Sequence, residues 1–130
     1  MAPEHNPRAL EAADRLFPGY GRTRLQMLEE LDPEFRRLFE DFAYAGLYSR
    51  EVLDHKTREL CAVASLTALN RLGSLESHIR ASLVMGATRQ EVQEVIFQVC
   101  AYGGMPVTLA ALDLMRKVYA DIDRESSSRG

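Results

Sequence analysis

The stretch NRLGSLESHIRASLVM, Asn70 to Met85, sets one histidine, two arginines and a glycine between two strongly apolar segments. On its N-terminal side, Leu60, Cys61, Val63, Ala64, Leu66, Ala68 and Leu69 describe a helix from Lys56 to about Arg71. That helix is apolar nearly all round, the pattern of one buried on several sides. Gly73-Ser74 reads as the break after it, with Ser74 capping a new helix that runs to Met85 and Gly86 ending that one. Two helices joined this way pack antiparallel. Whether Glu59 or Arg58 then reaches His78 is beyond what periodicity decides.

The pattern continues in both directions. Thr88 to Glu91, TRQE, is a capping box, and Val92, Val95, Ile96 and Val99 form one stripe behind it. The YGGMP segment, Tyr102 to Pro106, interrupts. A last helix follows from about Val107 to Ile122, with Leu109, Leu112, Met115, Val118 and Tyr119 facing inward. Towards the N-terminus, Asn6-Pro7 opens a helix from Arg8 to Leu16, PGYG at Pro18 to Gly21 is a turn, and Arg22 to Leu31 is a second helix. Asp32-Pro33-Glu34 opens a third, which presents Phe35, Leu38, Phe39 and Phe42 on one face. No strand-length alternation interrupts these periods. The expectation is an all-α fold of six or seven helices in a single domain spanning 1–130, with an N-terminal helical arm at 1–48, a compact core at 55–122 and a frayed tail at 123–130.

Composition agrees with that class. Over 130 residues, 46% are apolar and 27% charged, and the formal net charge is -3. Lys and Arg are spread along the chain, which argues against nucleic acid and against an anionic membrane surface as partners. No apolar run approaches the roughly 20 residues of a membrane span. The N-terminus lacks the basic-then-apolar order of a secretory signal, so the expected location is cytoplasmic. The apolar surface carried by such short helices implies self-association. The three histidines, His5, His55 and His78, form no i, i+4 pair and join no cysteine cluster, so no metal site is expected. Cys61 and Cys100 sit inside helical patterns without a Cys-x-x-Cys spacing and read as small buried hydrophobes.

Few polar groups enter the apolar part. Glu59 is either a carboxylate placed near a helix N-terminus by the dipole or a partly buried acid that orients a histidine. His78 is either a structural histidine or a proton carrier. Arg71 and Arg58 are either anion clamps or surface ion-pair partners of Glu76 and Asp54. Asn70 either caps a helix end or binds a carbonyl. These residues define an all-α oligomer with a candidate site for a small anionic molecule.

Taken together, TREL (57–60), NRxGxLxxHI (70–79), GATRQEVQEVI (86–96) and YGGMPVTLAAL (102–112) resemble the carboxymuconolactone decarboxylase family over roughly Phe35 to Tyr119. The resemblance implies an alkylhydroperoxidase D-like helical fold assembled as a homotrimer or homohexamer. In the peroxidase branch of that superfamily, a Cys-x-x-Cys pair precedes the histidine. Those cysteine positions fall here on Arg71 and Ser74, and the branch's glutamate and histidine fall on Glu59 and His78. With both thiols missing, the decarboxylase branch is the better match and a thiol-dependent antioxidant activity the alternative. A non-enzymatic helical oligomer is the third reading. The decarboxylase branch implies conversion of 4-carboxymuconolactone to 3-oxoadipate enol-lactone plus CO2 in aromatic catabolism, without metal or organic cofactor. It implies His78 and Glu59 as the catalytic pair, and Arg71, Arg58 and Asn70 as substrate-binding residues. One departure concerns FAYAG at Phe42 to Gly46, which stands where true decarboxylases often carry Trp-Gly; the chain has no tryptophan.

Overall fold

Proline and acidic or amide caps punctuate the first half of the chain, and the structure, a computed structural model that describes residues 3–129, follows them closely. Helix α1 (Pro7–Leu16) starts where the Asn6 side chain accepts the Arg8 N–H. Helix α2 spans Gly21–Leu31, and α3 spans Pro33–Phe39 with the Asp32 carboxylate accepting from the N–H groups of Glu34 and Phe35. The chain then widens into a π-helical segment, Glu40–Gly46, and closes with a 3-10 turn at Leu47–Ser49. These elements form a compact unit that ends at Asp54. Within it α1 packs on α2 and on the π-helical segment. The α1–α2 contact needs glycine at position 21: a Cβ there would lie 2.6 Å from the Ala13 carbonyl oxygen.

The apolar face expected for α3 is not the buried one. Phe35, Leu38 and Phe42 are exposed, whereas Arg36, Glu40 and Tyr44 are buried. Arg36 and Glu40 stand one helical turn apart, bond each other and bond the chain at residues 3–6, and these partners turn a charged face inward.

The second unit begins at His55 and contains α4 (His55–Ala68), α5 (Leu72–Val84), α6 (Arg89–Gly103) and α7 (Met105–Arg129). Seven α-helices and no strand are present among the described residues, so the fold is all-α. Helix α4 packs on α5, α6 and α7, and α7 also contacts α5 and α6. Their common core holds Val63, Leu75, Ile79, Val92, Ile96, Ala111, Met115 and Val118. Each aliphatic side chain buried this completely contributes roughly 1.5–3 kcal/mol. The capping box forms as expected: Glu91 N–H donates to Thr88 Oγ1 and Thr88 N–H to Glu91 Oε1.

Three local expectations change. Helix α4 is buried on one side only, with Glu59, Val63 and Thr67 inward and Cys61, Ala68 and Leu69 exposed, so Cys61 is not a core residue. On α7, Leu109 is exposed, and Thr108 and Ala111 take the inward positions. Finally, residues 123–129 are helical rather than frayed. Asp123 is held by Arg89 at 2.6 Å and Glu125 by Arg80 at 3.1 Å, so the last two turns are tied to α6 and α5.

Candidate active site

The turn between α4 and α5 positions the site. Asn70 has φ +56, in the left-handed region. Its N–H donates to the Thr67 carbonyl at 3.0 Å, and the Arg71 N–H donates to the Leu66 carbonyl at 2.9 Å. That pair of bonds is a Schellman motif with asparagine in place of the usual glycine. The reversal is therefore complete by Arg71, and α5 starts at Leu72. Gly73 and Ser74 lie inside the helix instead of breaking it, and no side chain caps α5. The break expected at Gly73-Ser74 lies three residues beyond the actual turn, because an asparagine able to enter the left-handed region looks no different in sequence from one that does not.

This turn sets α4 and α5 side by side and brings together two residues 19 apart. Glu59 Oε2 lies 2.7 Å from His78 Nδ1. Glu59 is completely buried, and the His78 side chain is 15% exposed. A carboxylate can only accept, so Nδ1 carries the hydrogen and Nε2 becomes the ring nitrogen able to take up or deliver a proton. The acid thus fixes both the tautomer and the orientation of the ring. The second carboxylate oxygen, Oε1, is buried and accepts no hydrogen bond among the described residues.

The other candidates are placed as follows. Arg58 precedes Glu59 on α4 and is half-buried. Arg71 is exposed at the N-cap of α5, two turns before His78 and on nearly the same face at 100° per residue. Asn70 is exposed, and its backbone closes α4. Thr67, which nothing in the sequence marks as a site residue, is fully buried on α4, and its hydroxyl has no hydrogen-bond partner among the described residues. A threonine within an apolar helix carries no signal that separates this placement from an ordinary one. Among the described residues, no group of three His, Cys, Asp or Glu side chains is gathered to hold a metal, and no helix is long and apolar enough to cross a membrane.

An apolar groove of about 440 Å³ between α4 and α6 is a separate feature. It is lined by Leu60, Cys61, Ala64, Val95, Val99 and Tyr102, among others. Along α4 these positions recur on the helix face opposite Glu59 and Val63. The groove therefore does not contain the Glu59–His78 pair.

The model of the carboxymuconolactone decarboxylase family matches residues 33–117, from the start of α3 to the middle of α7. The chain belongs to that family. Among its curated relatives is a 4-carboxymuconolactone decarboxylase of Acinetobacter baylyi, 33% identical over 98 residues, which are 75% of this chain and 73% of that protein. Another is an uncharacterized 15.0 kDa protein in the nqo9-nqo10 intergenic region of Paracoccus denitrificans, 32% identical over 117 residues, 88% of this chain and 87% of that one. The family match spans Arg58, Glu59, Asn70, Arg71 and His78, so every candidate site residue lies in the part of the chain shared with the carboxymuconolactone decarboxylase family.

Proposed function

We propose that this protein is a cofactor-independent carboxy-lyase acting on a small carboxylated lactone, with 4-carboxymuconolactone as the first candidate. The observation that carries this reading is the buried Glu59 holding His78 Nδ1 at 2.7 Å, which assigns proton transfer to Nε2 of the same ring. Family membership and the decarboxylase relative from Acinetobacter baylyi support the reaction class.

The chemistry is self-consistent. The bond between the ring carbon and the carboxylate breaks and CO2 leaves. The electron pair enters the conjugated lactone as a dienolate, with the carbonyl oxygen taking the negative charge. A proton then returns to a ring carbon, which yields the enol-lactone. The substrate supplies its own electron sink, so the protein's part is to hold the anion, keep the departing carboxylate poorly solvated and deliver the proton. His78 delivers it from Nε2, with Glu59 stabilising the imidazolium and keeping the ring in place. Arg71 and Arg58 supply the forked donors suited to substrate carboxylates, and Asn70 offers an amide for the lactone carbonyl.

Self-association as a trimer or hexamer belongs to the same reading. The exposed Leu69, Tyr102 and Leu109 in the second unit supply apolar surface for it. The decisive experiment is turnover of 4-carboxymuconolactone, followed by CO2 release and by loss of substrate ultraviolet absorbance. Wild type is expected to turn over and His78→Asn to be at least about a hundredfold slower. Equal rates in the two would remove the histidine from the mechanism.

A further inference from the structure

Helix α3 and the π-helical segment after it are amphipathic in an inverted sense. The inner side is charged: Arg36 and Glu40 are 1% and 0% exposed and bond each other at 3.3 Å. The outer side carries Phe35, Leu38 and Phe42 at i, i+3 and i+7, the spacing of a helix that packs on another surface. Rotating α3 to hide the phenylalanines would pull Arg36 from its partners. Its Nε donates to Glu29 Oε2 on α2 at 2.7 Å, its Nη1 to the Glu4 carbonyl at 3.2 Å as well as to Glu40, and its Nη2 to the Pro3 carbonyl. A buried charge stripped of its partners is costly, so these bonds hold the apolar side outward.

Helix α2 packs on α3 and adds Met27 and Leu31, one turn apart and also exposed. All five side chains are between 50% and 75% exposed. With about 200 Å² for a fully exposed large side chain, they leave on the order of 600 Å² uncovered. An exposed apolar area of that size marks an interaction site. Two such faces laid together bury on the order of 1,200 Å², which reaches the lower bound of a stable, specific interface.

The charges beside the ridge suit a copy of the same helix. Glu34, Arg37 and Asp41 follow one edge in the order minus, plus, minus, and Arg37 bonds both acids. Laid antiparallel about a two-fold axis near Leu38, the ridge meets itself. Phe35 then falls opposite Phe42 of the second copy, and Arg37 falls within about one residue of its Asp41, since the order of residues is reversed across the axis. Aromatic pairs and opposite charges therefore face each other along the seam.

We propose that the Phe35–Leu38–Phe42 face is a two-fold interface whose occupant is the same face of a second copy of this chain. The inference rests on the self-association in the proposed function and makes it more specific. An isologous contact pairs copies, so the assembly holds an even number of chains and the hexamer is selected over the trimer.

The test is the mass of the full chain by light scattering after size exclusion, for wild type, Leu38→Glu and Phe35→Glu. Leu38→Glu sets two like charges beside the axis, and Phe35→Glu removes a ring while leaving an acid that suits the first turn of α3. Wild type is expected at an even multiple of 14.6 kDa. Both variants are expected at half the wild-type mass with unchanged far-ultraviolet circular dichroism. The dichroism identifies a variant that fails to fold, and the other variant then decides. An odd multiple for wild type, a monomer included, would overturn the interface. So would a folded variant that keeps the wild-type mass. The two readings fail separately: an active trimer removes the two-fold contact and leaves the decarboxylase reading, whereas an inactive hexamer that halves on Leu38→Glu does the reverse.

Discussion

His78 Nδ1 and Glu59 Oε2 are 2.7 Å apart across the α4–α5 contact, and the acid of the pair has no exposure to solvent. Removing the hydrogen-bond donor of a buried carboxylate strands it. His78→Ala is expected to cost about 3 kcal/mol of stability, close to the range for breaking such pairs. His78→Asn places an amide N–H near Nδ1 and retains most of that stability. Both variants lose turnover by at least about a hundredfold. Denaturant melts beside steady-state rates separate the two effects: if the variants are equally unstable, the hydrogen bond to Glu59 is not what His78 contributes to the fold.

Asn70 is predicted to matter through its backbone. At φ +56, glycine is at least as comfortable, and a β-branched residue is strained. Asn70→Gly is expected to leave stability within about 0.5 kcal/mol, and Asn70→Val to lower it by about 1–2 kcal/mol. Thermal melts check this. Substrate KM measured on Asn70→Gly then reports on the amide alone, because the turn is preserved.

Within the core, Ile79→Ala and Met115→Ala are expected to cost about 2–5 kcal/mol each, and Ile96→Val about 0.5–1.5 kcal/mol. All three are buried in one cluster. Urea midpoints measured at a constant slope decide it, and a loss under about 1 kcal/mol for Ile79→Ala would contradict a closely packed α5 face.

The C-terminal turns carry a pH prediction. The Arg89 guanidinium bonded to Asp123 holds its carboxyl below the usual carboxylate range. A lowered folded value means the contribution is present above the ordinary pKa, about 4, and is lost as pH falls through the folded value. Helical order at 123–129 is therefore expected to be flat from pH 8 to about pH 5 and to decline in the acid range below about pH 4. Asp123→Asn should remove Asp123's share of that decline. Backbone chemical shifts of residues 123–129 across a titration are the measurement, and a decline centred near neutral pH would point away from Asp123.

Cys61 is exposed and Cys100 half-buried, and neither forms a disulfide. The Cys61→Ala, Cys100→Ala double variant is expected to keep lactone turnover within about twofold, since no step above uses a thiolate. Loss of that turnover, or a peroxidase rate that disappears in the same variant, would restore the thiol-dependent alternative. In wild type, Cys61 is expected to react with iodoacetamide before Cys100, because it faces the open groove.

What the sequence discloses and what it withholds follow a physical division. Local chemistry was legible: the Asn6, Asp32 and Thr88 caps and the Gly86 terminator form at or near their expected places. Contacts between distant residues were not. Arg36 and Glu40 at i, i+4 read like any surface ion pair, and only residues 3–6 and Glu29, brought in from elsewhere in the chain, make that face the buried one. Periodicity points Leu109 inward and the burial habit of free cysteine does the same for Cys61, and neither reports which side a neighbour covers. Glu59 and His78 were visible as candidates. Their meeting depended on a turn whose register rests on one backbone angle at Asn70.

The contact between Gly21 and Ala13 has a consequence for how this sequence can drift. The atoms a Cβ at position 21 would strike include the Ala13 carbonyl oxygen and Cα as well as its methyl, all within 2.8 Å. Trimming Ala13 to glycine would clear only the methyl. A larger residue at 21 therefore has no compensating partner at 13, because the obstacle is main chain that every amino acid shares. Most packing positions can be traded against a neighbour over successive substitutions; this one is a fixed point, and lineages that change it must move α1 relative to α2 instead.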